Sequence, residues 1–432
     1  MHMENLFLYL AVIALAMTLY LRRQRRRHAA DAAELAQAVQ GGLAEPATLH
    51  PVVDPDRCMG GGSCNKACPE GVLGVVDGKM ALKNAAACVG HGACVVACPT
   101  EAIRLVFGSE KRGVEIPHIS PDFETNVAGI YIAGELGGMG LIRKACEQGR
   151  QAIAAIGRQR ADTRVDYDVV IVGCGPAGLS AGLSALRHRL RYRIIEQEDS
   201  LGGTVYHYPR QKLVMTSPVE LDIVGKMKFT EVRKESLLEF WNGVVEQSGL
   251  QISFRERMDA VERAGDHFVV RTSCGSHTAR AVLLAIGRRG TPRKLEVPGE
   301  ESPKVAYRLL DAQQYAGQRV LVVGGGDSAL EAAIALSETS GTRVTLSYRG
   351  EAFSRVKLKN RMRLEQQQRS GRVQVVLGSR VERILANEVE LVRDEQVLRV
   401  PNDAVIVCAG GLLPTPLLQK IGIRFDTKFG TA

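Results

Sequence analysis

Asp168-Val-Val-Ile-Val-Gly-Cys-Gly-Pro-Ala-Gly178 is the stretch whose reading decides the fold. A short apolar strand runs into three glycines spaced G-x-G-x-x-G (Gly173, Gly175 and Gly178, with Pro176 and Ala177 between the last two). An Ala/Leu-rich helix follows, and Tyr192-Arg-Ile-Ile195 makes a second strand that ends on Glu196, 23 residues after the first glycine. Glycines let a backbone approach a pyrophosphate at a helix N-terminus, and an acid at Glu196 meets the adenine-side ribose hydroxyls. A bare glycine pattern is weak, but one with a strand before it and an acid after it predicts a dinucleotide-binding α/β unit.

The same unit recurs further along. Arg319-Val-Leu-Val-Val323 runs into Gly324-Gly325-Gly326-Asp327-Ser328-Ala329, then an alanine-rich helix and a strand from Arg343 to Tyr348. No carboxylate ends this second strand. Arg349 stands there, with Arg355 and Lys357 nearby. An arginine in place of the acid favours a 2′-phosphate, so NADPH is expected before NADH, with NADH left open. The bland alternative is a solvated, arginine-rich helix face.

Two such sites in one chain imply a flavoprotein. Ala285-Ile-Gly-Arg-Arg-Gly-Thr-Pro292, Val297-Pro-Gly-Glu300 and Cys408-Ala-Gly-Gly-Leu-Leu-Pro-Thr415 resemble the thioredoxin-reductase-like FAD/NAD(P) family over about residues 110–432. The resemblance implies FAD at the first site and NAD(P)H at the second, and adds Gly203, Thr204 and Gly287 to the flavin contacts. Thioredoxin reductases proper carry a C-x-x-C dithiol between the Pro-Gly-Glu segment and the second glycine turn. Here Ser302–Gln318 holds no cysteine, so dithiol–disulfide exchange is excluded on chemistry, as in the ferredoxin–NADP reductase branch. Cys174 and Cys408 read as small packed thiols.

One family segment is out of place. Residues 119–150 carry Gly129-Ile-Tyr-Ile-Ala-Gly134-Glu135 and Gly137-Gly-Met-Gly140, a pattern that closes the family's chains but here precedes the first glycine turn. The acid after Ala-Gly is usually Asp and meets the flavin's ribityl or pyrophosphate; Glu135, with Gly134 and Gly140, takes that place. A circular permutation accounts for the order at little cost, since domain termini often lie close together. The alternative is a second, partial flavoprotein copy, although no glycine turn precedes residue 119.

Ahead of this lie six of the ten cysteines, in two copies of one pattern: Cys58-x5-Cys64-x3-Cys68-Pro69 and Cys88-x5-Cys94-x3-Cys98-Pro99. They resemble the bacterial two-cluster ferredoxins, whose motif is C-x2-C-x2-C-x3-C-P. The second cysteine of each motif is missing: Gly61 replaces it in the first copy and His91 in the second. In that fold the last cysteine of each run serves the other cluster. The resemblance therefore implies one site of Cys58, Cys64 and Cys98 and another of Cys88, Cys94 and Cys68. Three thiolates allow a 3Fe–4S cluster, or a 4Fe–4S cluster with one further ligand. His91 either supplies that ligand or only hydrogen-bonds a sulfide or faces solvent. A structural zinc site and a relic without clusters are the bland alternatives.

Leu6–Leu21 is an apolar run of sixteen residues, followed at once by Arg22-Arg-Gln-Arg-Arg-Arg27. Charges after an apolar run, not before it, argue against a cleaved signal peptide. The run reads as a single-pass inner-membrane anchor with its N-terminus outside and the catalytic domains cytoplasmic. Those arginines also account for much of the formal charge of +9, so the charge does not point to nucleic acid.

The expected fold class is α/β: two Rossmann-like dinucleotide-binding domains, for FAD and NAD(P), circularly permuted, preceded by a small α+β ferredoxin-like domain and one transmembrane helix. The domains expected are 1–28 anchor, 29–50 linker, 51–108 ferredoxin-like, 109–160 displaced part of the FAD domain, 161–300 FAD, 301–402 NAD(P), and 403–432 returning to the FAD domain. The function expected is a membrane-anchored oxidoreductase moving electrons between NAD(P)H, FAD and a one-electron redox protein or quinone, with homodimer formation left open. A ferredoxin- or glutamate-synthase-type reductase subunit and a non-catalytic redox sensor are the alternatives. The sequence names no catalytic acid–base pair.

Overall fold

The computed structural model describes residues 2–40, 46, 49–110, 113–138, 140–159, 164–288, 291–353 and 356–430. It divides into two units. One holds residues 1–114 with 354–358 and 428–432, and the other holds 115–353 with 359–427.

In the first unit, α1 (His2–Gln40) is one unbroken helix. The membrane anchor, and with it the inner-membrane placement with the N-terminus outside, is not upheld: no helix among the described residues is long and apolar enough to cross a membrane. The apolar run accounts for the shortfall. Sixteen residues at about 1.5 Å each reach roughly 24 Å against a hydrocarbon core of about 30 Å, and the helix then continues into arginines. Residues 29–40, expected from sequence to begin a linker, instead extend α1. They are held by chemistry that local sequence does not announce. Lys83 Nζ pairs with Asp31 (2.7 Å) and Glu34 (2.8 Å), and Asp31 also accepts the Val75 backbone N–H (3.0 Å).

Burial alone would lower the Lys83 pKa, but its hydrogen bonds to Asp31 and Glu34 outweigh that and raise it. The stabilisation is therefore present at neutral pH and is lost only as pH climbs through the raised value. Lys83→Ala is expected to cost the docked part of α1 about 1.5–3 kcal/mol. Faster amide exchange confined to residues 28–40 would register the loss; unchanged exchange there would show that the ion pairs do not hold the helix.

The cysteine segment forms two small antiparallel ladders. β1 (His50–Val53) and β4 (Ile103–Val106) close the segment end to end, and β2 (Leu73–Val76) and β3 (Lys79–Leu82) form a hairpin. Leu73, Met80, Ala102 and Ile103 pack with Cys58, Cys64 and Cys94 in one core. Gly430, near the end of the chain, donates its N–H to Phe107 O (2.9 Å), so the last described residues belong to this unit.

The second unit's two largest sheets carry the glycine turns. The elements of the first are β5 (Ile130–Ile132), α4 (Ile142–Arg158), β6 (Tyr167–Val172), α5 (Pro176–Arg187), β7 (Tyr192–Ile195), β8 (Ile252–Ser253), β9 (Met258–Ala264), β10 (His267–Thr272) and β11 (Gly275–Leu284). Strands run in the order β8-β7-β6-β11-β10-β9. β11 pairs antiparallel with β10 through its first half, and its second half is flanked in parallel by β6 and β5. Val169 to Val172 are all buried, as a parallel strand covered on both faces requires. The segment ahead of the first glycine turn thus supplies a strand and a helix to this sheet. Ile153 and Ile156 of α4 share a core with Ile171 and Leu179.

The second sheet is wholly parallel. Its strands are β12 (Val305–Ala306), β13 (Arg319–Val323), β14 (Arg343–Tyr348), β15 (Val373–Leu377) and β16 (Ala404–Val407), in the order β12-β16-β13-β14-β15, and α6 (Asp327–Ser337) follows β13.

Candidate functional site

The first glycine turn leaves β6 and enters α5 with Pro176 in the helix's first turn and no acid beside it, so the N-terminal N–H groups face no competing charge. Two of its glycines are required by packing. Gly173 has φ +98°, and a Cβ there would stand 2.7 Å from Ala285 O; a Cβ on Gly178 would overlap Gly173 O. Gly175 differs. Its nearest neighbour across the turn is Gly203 Cα, 4.0 Å from where its Cβ would be, which leaves room for a ligand.

Gly203 (φ +52°) thus faces Gly175, and a Cβ on Gly287 (φ +65°) would lie 3.9 Å from Thr204 Oγ1. Gly134 closes the other side. A Cβ there would be 3.1 Å from Ala177 Cβ, and its N–H donates to Gln148 (2.8 Å). Glu135 opens a short 3-10 turn directly after it, and a Cβ on Gly140 would sit 3.6 Å from Glu135 Cγ. All of the flavin-site positions expected from sequence therefore gather round one turn, from stretches as far apart as residues 134 and 287.

Glu196 does more than its position promised. It is buried; Oε2 accepts the Cys174 N–H (2.7 Å) and Oε1 accepts the Glu198 N–H (3.0 Å). Burial pushes its pKa up, against those backbone hydrogen bonds. Its carboxylate ties the strand end back to the glycine turn. Burial also raises the thiols of Cys146, Cys174 and Cys408, which disfavours the thiolate form that nucleophilic chemistry needs.

In the second turn, a Cβ on Gly324 would overlap Cys408 O, and the Gly324 N–H donates to Ser347 O (2.9 Å). Gly326 caps α6, Ala329 is buried within it, and Ser328 is exposed. Asp327 is occupied in part by Asn360, whose amide donates to it (2.8 Å). Arg349 follows β14 directly; it is exposed and forms no ion pair or hydrogen bond with the described residues. Arg355 lies outside the described residues. Sequence reasoning missed Tyr348. Its ring fills the space a side chain on Gly325 would need and stacks on Phe353 (centroids 5.5 Å apart, 11° between planes). The signal available was an aromatic residue at the end of the strand beside the turn.

In the first unit the two cysteine loops repeat each other's backbone. Gly60 and Gly90 have φ +68° and +72°, and Gly62 and Gly92 have φ +72° and +79° as N-caps of the short helices α2 (Ser63–Ala67) and α3 (Ala93–Val96). Only glycine adopts these values freely, so the turns are set by composition. The thiols fall into two groups across the copies. The Cys64 thiol is pushed up by burial and by the nearby Cys98 and Cys58. Cys94 is pushed up to about 11 by burial and by Cys88 and Cys68.

One cavity is lined by Cys68, Cys88, Cys94 and His91, with Glu70 at its wall. Burial lowers the His91 pKa against the opposing charge of Glu70, which keeps the ring neutral. At the other group, Cys58 Sγ accepts N–H groups of Gly60 (3.5 Å) and Met80 (3.4 Å), and Cys98 Sγ accepts the Ala102 N–H (3.3 Å). Backbone donors to sulfur are the contacts that tune bound iron–sulfur clusters. Among the described residues no three donors converge tightly enough for a single metal ion. A cluster, whose thiolates bind different irons, asks for thiols spread round a cavity, as Cys68, Cys88 and Cys94 are.

A family profile described as pyridine nucleotide-disulphide oxidoreductase matches residues 170–430, and a 4Fe-4S dicluster domain matches residues 50–99. A bacilliredoxin reductase of Bacillus subtilis is 30% identical over 62% of this chain and 83% of its own. A ferredoxin–NADP reductase of Thermus thermophilus is 32% identical over 61% of this chain and 81% of its own. Among solved structures, a bacillithiol disulfide reductase from Bacillus cereus, 28% identical, superposes with a TM-score of 0.55 over 60% of this chain and 82% of that one. The chain is an FAD-dependent oxidoreductase and belongs to the pyridine nucleotide-disulphide oxidoreductase family.

Proposed function

We propose that the chain moves electrons between NADPH, FAD and a one-electron redox protein or quinone by way of iron–sulfur clusters. The observation that carries the reading is the joining, in one polypeptide, of two glycine-turn dinucleotide sites with six thiols gathered in two groups of three. Flavin, when bound, exchanges a hydride with a nicotinamide and passes electrons on singly, which clusters accept one at a time. The protein's own part is binding and orientation. The N–H groups opening α5 and the room between Gly175 and Gly203 take the FAD pyrophosphate, and Glu196 takes the ribose. Glu135 holds the ribityl side, and Arg349 takes the 2′-phosphate of NADPH.

Residues 119–150 are read as the family's closing segment moved ahead of the first glycine turn. Two facts support this: the family match begins at residue 170, and the segment's start lies beside the chain's final stretch. His118 donates its N–H to Arg424 O (2.9 Å), and the Asn126 amide donates to Gly422 O (2.9 Å).

Disulfide reduction, which the names of the Bacillus relatives bring to mind, is the second reading. It is disfavoured here by the lack of a C-x-x-C pair and by the raised thiols near both glycine turns. Cys274, the exposed cysteine, lies in the β10–β11 turn, about ten residues and so roughly 33 Å from the flavin end of β11.

The full chain, purified anaerobically, is expected to bind one FAD and to reduce a one-electron dye steadily with NADPH. Flavin bleaching with no sustained dye turnover would replace the enzyme reading with that of a redox sensor.

A further inference from the structure

We propose that the two cluster sites are unequal: His91 Nε2 completes a four-iron cluster with Cys68, Cys88 and Cys94, while the site of Cys58, Cys64 and Cys98 keeps a three-iron cluster because Gly61 offers no ligand. This rests on the reading of residues 50–99 as a cluster-binding segment.

Positions 61 and 91 are equivalent. Each lies three residues after the first cysteine of its copy and sits between two glycines whose backbone angles match across the copies. The side chains at these positions differ completely. His91 lines the cavity shared by Cys68, Cys88 and Cys94, and its Nε2 is buried with no hydrogen-bond partner among the described residues. A buried nitrogen left unpaired is costly, so native proteins rarely leave one without a partner. An imidazole nitrogen is a good donor to iron, and the cavity that His91 lines is the one those thiols frame. At Gly61 the backbone has ordinary φ, and a Cβ would meet nothing within 4 Å. A ligand could stand there, and the chain supplies none.

The inference fixes the iron content at ~7 atoms per chain and the oxidised protein's three-iron spin signal at ~1 per chain. His91→Ala is expected to double that signal by converting the second site. His91→Cys should leave it unchanged. Gly61→Cys, which the open space tolerates, should abolish it. Reduced wild-type protein is expected to show nitrogen hyperfine coupling on its four-iron cluster, and His91→Cys to lose it. Two three-iron signals in the wild type, or nitrogen coupling that His91→Cys does not remove, would overturn the assignment of His91. No three-iron signal in the wild type would overturn the assignment of the open site. Iron below one atom per chain would instead overturn the cluster reading itself. Because the wild-type coupling and the Gly61 variant do not depend on His91→Ala folding, the proposal stays exposed to refutation if that variant is unstable.

Discussion

Gly178→Ala is expected to weaken flavin binding and lower the flavin-to-protein ratio, whereas Gly175→Ala leaves the protein's own packing intact. A methyl on Gly178 would overlap the Gly173 carbonyl oxygen, which is backbone and has no rotamer by which to yield. Either the turn opens or α5 shifts along β6, and in both cases the N-terminal N–H groups leave the line they share with Gly203. Overpacking at such a point costs roughly 1–3 kcal/mol. Spent on the turn's geometry, that corresponds to about a 5- to 150-fold weaker hold on FAD.

Gly175 separates protein sterics from cofactor sterics. Its Cβ would stand 4.0 Å from Gly203 Cα, an ordinary contact, so the apoprotein accepts alanine. Any flavin then lost from Gly175→Ala reports crowding of the pyrophosphate alone. Flavin-to-protein absorbance after gel filtration, read beside circular dichroism, tests both variants. A fully loaded Gly178→Ala protein would remove this turn as the flavin cradle.

The second large effect is at Arg349. The guanidinium is exposed at the end of β14, beside a glycine turn that Ser347 O anchors through Gly324, and no described residue pairs with it. An unpartnered cation there suits a 2′-phosphate, and removing it breaks a charge-assisted contact worth about 1.5–3 kcal/mol. Arg349→Ala is therefore expected to raise the KM for NADPH roughly 10- to 100-fold while leaving NADH nearly unchanged. Arg349→Lys should recover part of the loss, since a lysine keeps the charge without the two-pronged geometry. Equal losses for both nucleotides would shift the assignment to NADH and return Arg349 to the solvated surface.

Much of this was legible in the linear sequence because it is enforced locally. Gly173, Gly324, Gly60 and Gly90 hold positive φ angles that side chains rarely adopt, so each turn is written in residue type. Apolar strands of four to six residues beside the turns at Gly173 and Gly324 announce parallel sheets buried on both faces. The loss of the second cysteine at Gly61 and His91 could likewise be seen without a structure.

The N-terminus shows where such reading fails. Composition and charge order suggested an anchor, but both are averages over a segment. Whether a helix spans a membrane depends on the length of its apolar run, which is short here, and on where the helix ends, which is Gln40 and not Arg27.

What only the tertiary structure decided are contacts between residues far apart in the chain: Lys83 with Asp31 and Glu34, Glu196 with the Cys174 N–H, Gly134 against Ala177, and the cavity that gathers Cys68 with Cys88, His91 and Cys94. The sequence by itself determined the turns, the strands and the kinds of chemistry on offer, because steric limits on a backbone act within a few residues. It could not determine which acid meets which cation, or which nitrogen is buried without a partner. Those pairings leave no periodic trace and exist only once the packed core has brought the segments together.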